Sequence, residues 1–319
     1  MKVDGCLMID ENKIRKIEFM NIKPWIQAAR LRTLPLSVSG IIVGSAYAYY
    51  QGFSDWRIVV LALLTTLGLQ VLSNYANDYG DGVKGTDANR IGEKRLVAAG
   101  IITAEQMKKA VIITAIFTFL IALLLIYTAF GKENFALSLI FILLGIGSIG
   151  AAIKYTVGKS AYGYSGFGDV FVFIFFGLVS VLGSNFLFTK ELDGILFLPA
   201  FAIGCLSVAV LNLNNMRDIE NDKIAGKNTL VVKLGSENAK VYQYGLIISA
   251  LLLLILFGNQ LLFSFPQYSF ALVFIILFNH LKMVNKNKIP RELDSELKKV
   301  ALSTFLISLL LAVSLVILS

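Results

Sequence analysis

The run AVIITAIFTFLIALLLIYTAF, residues 110–130, carries no charged side chain. A helix of that length rises about 30 Å, the thickness of a bilayer's hydrocarbon layer. Comparable apolar runs recur at roughly 34–50, 58–76, 135–153, 168–188, 194–215, 242–263, 266–284 and 300–318, so nine spans are expected. The composition agrees: 56% of the 319 residues are hydrophobic and only 16% charged, against about a quarter charged in soluble domains. The fold class that follows is all-α, a polytopic membrane protein. Residues 24–319 form one transmembrane domain behind a polar N-terminal segment, 1–23. Met1 to Met20 lacks the short apolar core of a cleavable leader, so the first span is expected to serve as the insertion signal. Within Pro24 to Arg32 (PWIQAARLR), apolar residues recur at helical spacing beside Arg30 and Arg32, the pattern of a short interfacial helix.

The net charge of +8 is not a nucleic-acid signature, because the basic residues sit between the spans. Of the 29 Lys and Arg, only Arg57, Lys132 and Lys190 fall in odd-numbered connections. The other 26 precede the first span or lie in even-numbered connections. That bias places the N-terminus and the even connections in the cytoplasm, and nine spans then put the C-terminus outside a bacterial cytoplasmic (inner) membrane. Cys6 and Cys205 stand too far apart for a disulfide framework or a metal box, and Cys205 reads as a packed small side chain.

Two of the cytoplasmic connections are long and polar, and both carry acids. The second span ends in SNYANDYGDGVKGTD (73–87), where Asn74, Asp78 and Asp81 share one helical face, with Asn77, Lys84 and Asp87 close by. The sixth ends in NLNNMRDIENDKIAGKNT (212–229), where Asn214, Asp218 and Asp222 repeat at spacing four beside Arg217, Lys223 and Lys227. Each cluster lies at a helix C-terminal end, where the macrodipole is already negative. Carboxylates there, near a bilayer, call for cations. Hard oxygen donors suit Mg²⁺, which commonly bridges carboxylates to substrate phosphates, while Lys84, Arg95, Arg217, Lys223 and Lys227 suit diphosphate oxygens. Either cluster alone reads equally well as solvated loop acids; the recurrence of N-x3-D at two span ends argues for a shared site. A cation-coupled transporter would instead place its acids near the midplane in broken helices. A charged headgroup on a greasy tail is the ligand class this describes.

These residues resemble the UbiA superfamily of intramembrane prenyltransferases. The first cluster resembles its NDxxDxxxD motif and the second its DxxxD motif. The likeness runs through RLRTLPLSVSG (30–40), NYANDYGDGVKGTD (74–87), YGYSGFGD (162–169) and LNLNNMRDIENDKIAGKNTLVVKLG (211–235). It departs at Asp87, which stands ten residues after Asn77 rather than eight. The resemblance implies nine helices around a central cavity, with cytoplasmic caps formed by the 2–3 and 6–7 connections. It is strongest to the branch acting on 1,4-dihydroxy-2-naphthoate in menaquinone biosynthesis, with an aromatic acid and a polyprenyl diphosphate as substrates, and a 4-hydroxybenzoate enzyme as the alternative. Asp78, Asp81, Asp87, Asp218 and Asp222, with Asn214, are then the expected metal ligands. Asn74 and Asn77 join the basic side chains around the diphosphate, and Lys84 and Arg217 assist the chemistry. Tyr155, Tyr162, Tyr164 and Asp169, which could equally form an interface belt, are expected to line the acceptor pocket. His280 reads as an interface residue near a span end.

Overall fold

The computed structural model describes residues 22–86, 95–158 and 161–319, and these contain helices and loops with no strand. Asp87 lies outside the described residues, as do 1–21 of the polar N-terminal segment. Helix α1, Ile22–Ala29, is amphipathic. It ends earlier than the sequence suggests, because Arg30 adopts a left-handed conformation (φ 51°) and a single 3-10 turn, Leu31–Thr33, follows.

The spanning helices are α2 (Leu34–Tyr50), α3 (Trp56–Lys84), α4 (Ala104–Phe130), α5 (Phe135–Lys154), α6 (Gly168–Thr189) and α7 (Phe197–Arg217). Two short helices, α8 (Ile219–Ile224) and α9 (Leu230–Leu234), intervene before α10 (Ser236–Gln260), α11 (Val273–Lys286) and α12 (Leu293–Leu318). Among the described residues, eight segments are long and apolar enough to cross a bilayer. The ninth expected span, α2, has 17 residues, about 26 Å, and the 3-10 turn before it extends its reach. Helix α3 is far longer than its apolar stretch, at 29 residues. Its last two turns carry Asn77 to Lys84 beyond the apolar stretch.

Helix α7 is the axis. Most of its side chains are buried, and small residues such as Ala200, Gly204 and Ser207 let neighbours approach closely. Helices α6, α10 and α12 pack around it, and α12 also packs on α2, which closes the bundle. By contrast α5 fully buries only Ser148: one face, with Phe141 and Leu144, borders the central cavity, and the other, with Phe135, Leu139, Ile140 and Leu143, faces outward, as lipid permits. Residues 173–179 of α6 form a π-helical segment, a form that recurs at functional sites. There a Cβ on Gly177 would stand 2.6 Å from the Ala200 carbonyl and 2.8 Å from Gly204 Cα.

His280 is not an interface residue. It is wholly buried, with Nδ1 at 2.7 Å from Glu296 and Nε2 at 3.1 Å from Gln243. Asn212 donates to Gln243 Oε1 at 2.8 Å, so the network ties α7 to α10, α11 and α12. A polar side chain this deep persists because its partners come from other helices.

Gly40 and Gly44 of α2 face Ser180 and Ser184 of α6, a small-x3-small seam on each side. A Cβ on Gly44 would overlap Ser184 Oγ and the Val181 carbonyl. Gly44→Ala is therefore expected to cost about 1–3 kcal/mol, seen as a lower unfolding temperature of the detergent-solubilised protein. Gly245→Ala, where nothing lies within 4 Å of the added carbon, should leave that temperature unchanged or slightly raised.

Candidate active site

A cavity of about 410 Å³ runs down the middle of the bundle. At one end its wall is polar and made by both acidic clusters: Asn74, Asn77 and Asp81 from α3, and Asn214, Asp218, Asn221 and Asp222 from the α7–α8 corner. Toward the other end it is apolar, with Leu36, Ile41, Leu69, Leu125, Phe176 and Leu187.

The two clusters touch. Lys227, just past α8, reaches Asp81 of α3 at 3.2 Å. Asp81 is 2% exposed. It also accepts from the Tyr164 hydroxyl at 2.7 Å and faces Arg95 at 3.6 Å. Asn221 donates to the Thr86 carbonyl at 3.0 Å, a second link between the clusters.

The first cluster differs from the sequence reading in which face it presents. Asn77 and Asp81, four residues apart, line the cavity, whereas Asp78 does not. Asp78 turns aside from the cavity, and its two carboxylate oxygens each accept a backbone N–H, from Leu96 and Val97, at 3.0 Å. It holds down the 2–3 connection. Asn74 is on the wall but donates to the Ala29 carbonyl at 2.8 Å and so anchors the α1–α2 corner.

The basic residues divide likewise. Arg95 and Lys227 are on the cavity wall. Arg217 is not: its last-turn position aims it toward α12, where it is fully buried. Its Nε and Nη2 grip both oxygens of Asp218 at 2.8 Å, Nη1 reaches Asp294 at 2.6 Å, and Nη2 also reaches Asn214 Oδ1 at 2.8 Å. Arg217 thus positions Asp218 and Asn214. Lys84 is drawn off to the Thr156 carbonyl at 2.8 Å and lies over the Tyr164 ring at 4.0 Å. Lys223 pairs with Glu220 at the surface.

Tyr155, Tyr162 and Tyr164 line the cavity; Asp169 does not, being buried on the α10 side of α6 beside Tyr242. Tyr162 stands edge-on to Tyr155 and stacks on Phe171 at 3.9 Å, which in turn stacks on Phe175. Burial pushes the Tyr155 and Tyr162 hydroxyls above their ordinary range, and the nearby Asp169 raises Tyr155 further. Both remain protonated at neutral pH and able to donate. Sequence reasoning missed Asn221, which sits beside Asp222 as Asn77 sits beside Asp78. It missed Asp294 too, which no motif marks and which receives both Arg217 and, at 3.3 Å, Arg32. Arg30 and Arg32 stand at the polar end of the wall.

The donor set at the polar end is all oxygen. Among the described residues no three carboxylate, histidine or cysteine side chains are close enough to cage an ion by themselves. An all-oxygen donor set fits Mg²⁺, which keeps waters and substrate phosphates as ligands beside one or two carboxylates.

An all-helical membrane bundle with two acidic corners over an apolar chamber is the plan of an intramembrane prenyltransferase. The chain belongs to the UbiA prenyltransferase family, which it matches over residues 37–309. It is 43% identical over 300 residues to a 1,4-dihydroxy-2-naphthoate octaprenyltransferase of Haemophilus influenzae, covering 93% of this chain and 96% of the relative. The Escherichia coli protein of that name is 44% identical, over 90% and 92% of the two chains. Among solved structures, a UbiA homologue from Archaeoglobus fulgidus bound to GPP and Mg²⁺ superposes with a TM-score of 0.60 over 90% of this chain and 99% of that one, at 14% identity.

The geometry separates two kinds of aspartate. Asp78→Ala removes two charge-assisted hydrogen bonds and should lower stability by about 2–4 kcal/mol as well as activity. Asp81→Asn keeps the shape and should abolish turnover. Because the buried Arg95 and the part-buried Lys227 lose their shared carboxylate, its stability should also fall. Added inorganic pyrophosphate, an anion those cations can bind, should recover that loss, as it should not for Asp78→Ala. Thermal unfolding beside initial rates distinguishes the two.

Proposed function

We propose that the chain transfers a polyprenyl group from a polyprenyl diphosphate to 1,4-dihydroxy-2-naphthoate, with loss of the ring carboxylate and release of pyrophosphate, giving demethylmenaquinone in its hydroquinone form. One observation carries the reading. Both acidic clusters line the polar end of a single cavity whose remainder is apolar, and Lys227 joins them through Asp81. The 43–44% identical relatives favour this acceptor over 4-hydroxybenzoate, and nothing in the site favours a transporter.

Asp81 with Asn77 on one side, and Asp218 and Asp222 with Asn214 on the other, would each hold Mg²⁺ together with waters and diphosphate oxygens, its charge offsetting that of the departing pyrophosphate. Lys227 and Arg95 stand on the same wall to receive diphosphate oxygens. Arg217 keeps Asp218 oriented. The tail lies among apolar side chains, which exclude water while the allylic C–O bond breaks. Tyr155, Tyr162 and Tyr164 lie where a ring could stack and receive hydrogen bonds. The new C–C bond forms at the ring carbon bearing the carboxylate. Departure of CO₂ returns its electron pair to the ring and restores aromaticity. The 26-to-3 division of basic residues supports a cytoplasmic position for this end of the bundle, in a bacterial inner membrane.

Purified protein given dihydroxynaphthoate, a polyprenyl diphosphate and Mg²⁺ should release pyrophosphate and CO₂ in equal amounts. Chelation by EDTA should stop both, and added Mg²⁺ restore them. Asp218→Asn is expected to lower kcat at least 10²-fold. Unchanged turnover after thorough chelation would refute the mechanism.

A further inference from the structure

Arg217 serves two carboxylates at once. Its Nε and Nη2 donate to the two oxygens of Asp218 at 2.8 Å, and its Nη1 donates to Asp294 Oδ1 at 2.6 Å. The two acids stand at opposite kinds of helix end. Asp218 closes the C-terminal end of α7, where the macrodipole opposes a negative charge, whereas Asp294 lies in the first turn of α12, where the macrodipole favours one. They differ in exposure as well. Asp218 is buried on the cavity wall, while the Asp294 side chain is 42% exposed and forms no part of that wall.

The charges decide what this sharing does. A guanidinium paired with a single carboxylate makes a neutral couple, which attracts a divalent cation weakly. Asp218 and Arg217 alone would be in that state. With Asp294 on the far side of the guanidinium, two carboxylates and one cation leave one net negative charge. Asp218 keeps lone pairs that Arg217 does not use, on a wall that also holds Asn214 and Asp222. The oxygens of Asp294 are themselves divided, Oδ1 to Arg217 and Oδ2 to Arg32 at 3.3 Å. An amide in its place has one oxygen and could not serve both arginines.

We propose that Asp294 is a positioning residue for the metal: it draws the Arg217 charge away from Asp218 and so keeps Asp218 able to ligate Mg²⁺. The proposal rests on the reading of Asp218 as a metal ligand. An acid that merely steadied the start of α12 would affect stability and leave metal affinity alone, so the Mg²⁺ dependence separates the two roles.

The test unfolds the full-length protein thermally in detergent, with inorganic pyrophosphate and increasing Mg²⁺. The Mg²⁺ concentration giving half the stabilisation is read for each variant against its own metal-free unfolding temperature. Asp294→Asn should raise that concentration roughly 10–100-fold, and Asp294→Glu, which restores the charge, should recover most of the loss. Initial rates should show the same split, with KM for Mg²⁺ raised and kcat at saturating Mg²⁺ changed less than about threefold. Glu292→Gln removes a surface charge two residues away that bonds Asn287 instead, and it should leave the midpoint in place. A smaller rise for Asp294→Asn, or an equal one for Glu292→Gln, overturns the proposal. A wild-type midpoint that Asp218→Asn leaves unmoved refutes Asp218 as a ligand. Wild-type protein whose unfolding ignores Mg²⁺ refutes the metal reading of this corner, and the proposal with it.

Discussion

A carboxylate in the last turns of a membrane helix, shut away from water, is unstable unless other parts of the chain bring cations and donors to it. Asp81 is in that position, and three connections answer it. Arg95 comes from the segment after α3, Tyr164 from the loop between α5 and α6, and Lys227 from the turn after α8. One side chain therefore draws together the loops that roof the cavity. The same partners are those a diphosphate would recruit, so the arrangement that satisfies Asp81 in the free protein is also a basic cradle for an anionic headgroup.

The second cluster is held by different means. Arg217 and Asp294 fix Asp218 and Asn214 from behind, on the side away from the cavity. Asp294 also takes Arg32 from the start of α2. The entrance of the first span, the end of the sixth and the start of the last are thus joined through a single carboxylate. Lower down, Asn212, Gln243, His280 and Glu296 lock α7 to α10, α11 and α12. Rigid support of this kind keeps ligand oxygens aimed before any ligand arrives.

Much of this is legible in the sequence, and the exceptions have physical reasons. Nine spans follow from apolar runs, and both corners of the site follow from N-x3-D at two span ends. The face is harder. Two overlapping N-x3-D pairs, 74/78 and 77/81, occupy α3 three residues apart. A three-residue step turns a helix by about 300°, so both lie near one another and only tertiary packing selects 77/81 for the cavity. Charge sign also misleads: Arg217 looks like a phosphate ligand among acids, yet its neighbour across the bundle, Asp294, lies 77 residues on and belongs to no motif. His280 seemed interfacial because lysines follow it; its partners Gln243 and Glu296 come from other helices.

The contact of α12 with α2 carries a meaning for biogenesis. A ribosome delivers α2 first and α12 last, with nearly the whole polypeptide between them. Until α12 enters, the inner surface of α2 and one flank of α7 face lipid, and Arg217 lacks Asp294. The earlier helices can already pack on one another through the α3–α4 and α7–α10 pairs, but the seam between α2 and α7 is covered only when α12 arrives.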